Sequence, residues 1–116
     1  MTALIEAHPH ATDFKTARQI RVPNGGLVSA GDLAFCYTPH GIGLGEVWYH
    51  ISVDGLVQSV VSLFDRVGDA LAARARASTF RRRDAPQAMP ISDVLVAATY
   101  SNDGDCVIAL LPPWRP

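Results

Sequence analysis

His40, Glu46, His50 and Asp54 have the side chains and the spacing for proton-transfer chemistry. Imidazole titrates near neutral pH and a neighbouring carboxylate can fix its tautomer, so a His–Glu pair with an aspartate close by forms a general acid/base set. All four lie in "PHGIGLGEVWYHISVDG", Pro39 to Gly55. Period-two alternation puts Glu46, Trp48, His50 and Ser52 on one strand face, and Val47, Tyr49, Ile51 and Val53 on the other. No nucleophile is spaced to join the set, so the competing reading is a polar outward face carrying one aromatic residue. His8 and His10 supply two nitrogen ligands near the N-terminus, too few for a structural metal site. Neither a metal nor a cofactor is expected.

The same stretch carries glycines at 41, 43 and 45. A dinucleotide fingerprint needs G-x-G-x-x-G between a strand and a helix, and a P-loop needs a following Gly-Lys-Ser/Thr. Here the pattern is G-I-G-L-G, and a strand-like run follows it. Alternating glycines leave one face of an extended segment bare, which suits a bulge, a wide loop or the close approach of another backbone. If a small-molecule pocket exists, Gly43, Gly45 and Trp48 are expected to line it.

Cationic side chains form the third candidate set. Arg66 to Arg83 contains six arginines and one acid, Asp69, a local charge of +5; the remainder has four basic and ten acidic groups, −6, which gives the overall −1. Arg74, Arg76, Arg81, Arg82 and Arg83 could meet an acidic protein or a phosphate-bearing partner, and Phe80 could stack on a base. The competing reading is a solvated helix end, where cations favour the macrodipole. With net charge below zero, general nucleic-acid affinity is expected to be weak. The C-terminal "LLPPWRP" presents Trp114 on an extended segment that either docks on a partner or folds back on its own core.

These groups need a frame. A chain of 116 residues is expected to form a single domain, 1–116, with its own hydrophobic core. Only 18% of residues are charged, against roughly 25% in an average globular protein, which leaves apolar surface for a second chain to cover. Cys36 and Cys106 sit in apolar runs and read as buried free thiols, consistent with the cytoplasm. The N-terminus lacks the basic start and apolar run of a secretory signal, and no stretch has the apolar length of a membrane-spanning helix. Nine arginines against one lysine, with abundant alanine and valine, match a GC-rich bacterial coding sequence.

Along the chain, residues 1–24 form an arm and Pro23 to Gly26 a turn. Leu33–Thr38 and Glu46–Val53 are expected to pair as a hairpin with 39–45 as its loop. From Leu56 to Ala77, apolar positions 57, 60, 61, 64, 67 and 71 cluster at about 100° per residue and predict one long amphipathic helix, capped by Ser52 or Asp54. Residues 78–90 read as a basic linker. Val94–Tyr100 and Cys106–Leu111 form a second hairpin around Asn102-Asp103-Gly104, and 112–116 a Pro-rich tail. The expected class is α+β, an antiparallel sheet of about four strands (two hairpins) with the long helix between them. The alternative is a small β-barrel in which 56–67 form a strand and "GDLAFCY" opens a meander. The spacing of Gly31-Asp32 and Gly43-Leu44-Gly45-Glu46-Val47 resembles that of small SH3-like barrels.

The second hairpin's nearly continuous apolar strands require cover on both faces, which points to a homodimer. The function expected is that of a small non-enzymatic interaction or ligand-binding protein with an arginine segment for an acidic partner. A small enzyme using the His/Glu/Asp set is the alternative, and a weak nucleic-acid binder comes third.

Overall fold

The computed structural model describes residues 14–23, 26–68 and 77–111, and it is nearly all β. In chain order the strands are β1 Phe14–Ala17, β2 Gln19–Arg21, β3 Leu27–Ser29, β4 Leu33–Thr38, β5 Gly41–Val53 and β6 Leu56–Leu63. They continue as β7 Asp65–Gly68, β8 Ala77–Arg81, β9 Pro86–Pro90, β10 Val94–Ala97, β11 Tyr100–Asp103 and β12 Cys106–Leu110, with one 3₁₀ turn at Ile91–Asp93.

The α+β expectation is therefore corrected: residues 56–68 form β6 and β7, where the long helix had been placed. Its remaining positions 69–76 lie outside the described residues. The helical period was misleading because β6 is central. Gln58 to Val61 are all buried and Ser62 with them, so both faces of the strand carry core positions and no alternation survives in the sequence. The all-β alternative placed one strand over 56–67; the chain instead breaks at Phe64 into β6 and β7, which lie in different sheets.

Asp54, one of the two residues expected to cap that helix, instead forms the β5–β6 turn with Gly55. Both residues have positive φ, 50° and 87°, the geometry of a type I′ hairpin, which favours Asp-Gly. The first hairpin's loop also shrinks, from 39–45 to Pro39-His40, and its glycines lie within β5. Of the expected second hairpin only the later part forms: β11 pairs with β12, while Val94–Ala97 pairs with β4 in the other sheet.

The main sheet runs β10-β4-β5-β6-β9, all antiparallel, with β1 alongside the far half of β5. A second sheet runs β11-β12-β8-β7, and β2-β3 form a separate ribbon. Five flat strands at about 4.8 Å spacing would hold β9 and β10 roughly 19 Å apart. Yet three residues join them, and four Cα steps reach at most about 14 Å. The main sheet must therefore curl into a partly open barrel. Its interior is filled by Ala34, Cys36, Val47, Val61, Met89 and Val94, with Val22 and Val28 brought in beside the ribbon.

On the barrel's outer face Leu33, Phe35 and Leu44 pack with Phe64 against Phe80, Val107 and Ala109 of the second sheet. Phe35 meets Phe80 edge to face, centroids 6.4 Å apart. This internal second layer covers β4, whose residues Leu33 to Cys36 are all buried. The strand β12 is itself buried on one face only, at Val107 and Ala109, while Cys106 and Ile108 are half-buried and Leu110 is exposed.

Candidate functional site

The four residues of the proton-transfer set are not brought together. His40 is exposed in the β4–β5 turn, and Asp54 is exposed in the turn at the other end of β5. At about 3.3 Å per residue, the ten steps from His40 to His50 cover roughly 30 Å of strand path. Glu46 and His50 also point to opposite faces. Their partners in β6 are Ser62 and Ser59, an odd number of residues apart, because a β-bulge at Trp48 adds one residue and reverses the alternation. Trp48 is 40% exposed at that bulge.

His50 is fully buried and both ring nitrogens have partners. Nε2 lies 2.8 Å from the Val28 carbonyl oxygen and Nδ1 2.7 Å from Ser59 Oγ. A carbonyl only accepts, so Nε2 carries the hydrogen and the Ser59 hydroxyl donates to Nδ1. Burial pulls the imidazole pKa below its ordinary value, against the opposing effects of the Val28 carbonyl and Asp32. His50 is thus a neutral strut that ties the β2–β3 ribbon to the barrel.

Of the pocket residues expected, Gly45 is buried where β5 crosses β6, and a Cβ there would stand 2.4 Å from Val61 Cγ1. Gly43 does line a cleft. Its walls come from the β4–β5 turn (Thr38, Pro39, His40, with Ile42 and Gly43), from the β6–β7 junction (Leu63 to Arg66), and from Arg83 and Gln87; its volume is about 550 Å³. It gathers one residue from each candidate set: His40, Gly43 and Arg83. Arg66 opens the basic stretch; the other lining residues have no sequence signal, because they are adjacent only once the barrel and the second sheet have docked.

Hydroxyl groups hold two of the walls. Thr38 Oγ1 donates to the Gly41 carbonyl at 2.7 Å and accepts from the His40 amide at 3.1 Å, which sets the turn. The buried Ser62 hydroxyl donates to the Arg83 carbonyl and accepts from the Ala85 amide at 2.9 Å, which fixes the segment after β8. Ser62→Ala is expected to cost about 1–2 kcal/mol by leaving the Ala85 amide and the Arg83 carbonyl without this partner. Limited trypsinolysis should then cut faster at the arginine triplet; an unchanged cleavage rate would show that the tether does not hold the segment.

Electrostatically the cleft opposes the chain as a whole. Two guanidiniums, Arg66 and Arg83, face one carboxylate, Asp65, a lining charge of +1 in a chain of −1. Arg83 Nη1 meets Asp65 Oδ1 at 3.3 Å with both side chains exposed, a pair worth at most about 1 kcal/mol and open to exchange. Arg82 lies over the Phe64 ring, 5.6 Å from its centroid, and donates to Asn102 Oδ1 at 2.7 Å. Arg81 stands 4.0 Å from Asp105. Phe80 is 2% exposed and faces the core, so its ring is not placed to stack on a base. Arg74, Arg76 and Trp114 lie outside the described residues, as do His8 and His10.

Among the described residues, no three His, Cys, Asp or Glu side chains gather as a metal site would need, and no helix is long and apolar enough to cross a membrane. Cys36 is a buried free thiol whose pKa is pushed up to about 12, mainly by burial and further by Asp93, so it stays protonated and unreactive. Fold and site together define a protein whose described residues are nearly all β, with an open, cation-rimmed cleft. Comparison with protein families, characterised proteins and solved structures found no match to the chain.

Proposed function

We propose that this is a non-enzymatic interaction protein that receives an acidic segment of a partner on the cleft and the adjoining arginines 81–83. The observation that carries this reading is the convergence of His40, Arg66 and Arg83 from separate chain segments around a cleft of net charge +1. Exposed ion pairs such as Arg83–Asp65 and Arg81–Asp105 are weak enough for an incoming carboxylate to displace. The free cysteines fit a reducing compartment, which for a bacterial protein is the cytoplasm. The low charge content and the outer face of β12, where Ile108 is half-buried and Leu110 exposed, are the arguments for a homodimer.

Fluorescence anisotropy at low salt tests the reading with labelled hexaglutamate and a single-stranded DNA hexamer. The expected result is peptide binding that weakens with salt and is lost when Arg66, Arg81, Arg82 and Arg83 are replaced by alanine. DNA bound as tightly as peptide, or an unaffected variant, would refute it. Light scattering on the same sample decides the homodimer: a mass of 12.5 kDa, that of a single chain, would exclude it.

A further inference from the structure

The cleft's floor and rim differ in chemistry, and the difference narrows what can occupy it. Pro39, Ile42 and Leu63 offer apolar surface in front of the buried Phe64, while Arg66, Arg83 and His40 offer hydrogen-bond donors at the rim. A bare inorganic anion would leave the floor wet, and an apolar peptide would bring the guanidiniums no counter-charge. Charge limits the anion further. Asp65 already stands in the lining, so a phosphoryl dianion would meet more repulsion there than a single carboxylate.

Arg83 can serve an incoming carboxylate without abandoning Asp65. The guanidinium has five N–H donors, and the contact with Asp65 is a single one through Nη1. The Arg83 backbone is held by the buried Ser62 hydroxyl, so part of the ordering cost of binding is met before the ligand arrives. The apolar floor is likewise held in place: the Phe64 amide donates to the Leu44 carbonyl at 2.8 Å, and the Phe64 ring lies beneath Arg82.

We propose that the cleft recognises an acidic side chain next to an apolar one on an extended segment of a partner protein. The carboxylate meets Arg66 and Arg83, and the apolar neighbour covers Ile42 and Leu63. This rests on the interaction reading above and specifies what enters the cleft.

The test is a titration of the ¹⁵N-labelled full chain followed by amide shifts, with four probes: a capped hexapeptide alternating glutamate and leucine, its glutamine–leucine analogue, hexaglutamate, and inorganic phosphate. The glutamate–leucine peptide is expected to shift the amides of His40 to Gly43, Leu63 to Arg66 and Arg83. It should bind several-fold tighter than hexaglutamate and at least about tenfold tighter than the glutamine analogue. Arg66→Gln and Arg83→Gln should each weaken it by about tenfold while the dispersed spectrum persists. Equal binding of hexaglutamate, or phosphate acting at the same amides with equal affinity, would overturn the proposal. Shifts confined to Arg81, Arg82 and the second sheet would overturn it while sparing the interaction reading. If neither acidic peptide shifts any amide, both fall together.

Discussion

Gly45→Ala lowers the unfolding free energy by about 3 kcal/mol, which for a domain of this size is roughly 12 °C in Tm. Gly45 lies opposite Leu63 where β5 crosses β6 inside the curled sheet. A Cβ there would be 2.4 Å from Val61 Cγ1 and 3.1 Å from the Ser62 carbonyl oxygen. Val61 cannot swing aside cheaply, being β-branched and fully buried in the barrel interior. Ser62 cannot shift without disturbing the hydroxyl that holds the Arg83 segment. Val61→Ala alone removes buried methyl groups and costs about 2 kcal/mol. In the double variant the new Cβ enters the vacated space, so the combined loss falls short of the sum by at least about 1 kcal/mol. A urea-denaturation cycle over the four proteins measures this, and strict additivity would remove the steric explanation.

His50→Leu costs about 3 kcal/mol near neutral pH, because it leaves the Val28 carbonyl and the Ser59 hydroxyl buried without their partner. The parent protein also carries an acid sensitivity that the variant lacks. Its folded-state imidazole pKa lies below the ordinary 6.5, so on acidification the unfolded chain takes up the proton first. The contribution of His50 to stability is therefore complete above 6.5. It declines as pH falls from there toward the folded-state value, with a slope of at most about 1.4 kcal/mol per pH unit. The proton would enter at Nδ1, and Ser59 Oγ can rotate to accept it; the cost is the desolvated charge. Denaturation midpoints of parent and variant between about pH 8 and about pH 5 should converge on acidification. Parallel curves would mean that His50 titrates alike in both states.

Both residues show how the sequence was legible in type but not in role. His50 and Gly45 stood out as catalytic and pocket candidates, since histidines and alternating glycines are uncommon in a strand. One additional residue at Trp48 reversed the face of everything after it, and period-two reasoning has no means to detect a bulge. Asp54-Gly55 was the more informative signal: between two extended runs it specifies a type I′ hairpin, and the strand from Leu56 follows. The adjacent apolar positions Val60 and Val61 read as helical only because β6 is buried on both faces and so lacks alternation.

What the sequence by itself determined is local: the turn after Asn102, the apolar strands β4, β5 and β12, the free thiols, and a basic stretch in an acidic chain. These follow from backbone preference, side-chain transfer energy and net charge, which act over a few residues. The tertiary structure decided the rest. Curling of the sheet required Gly45 to be bare, and docking of the second sheet turned Phe80 inward. The same docking brought His40, Gly43 and Arg83 to one cleft. Such contacts join residues far apart in the chain, and their energies depend on which surfaces meet, a property no short window of sequence contains.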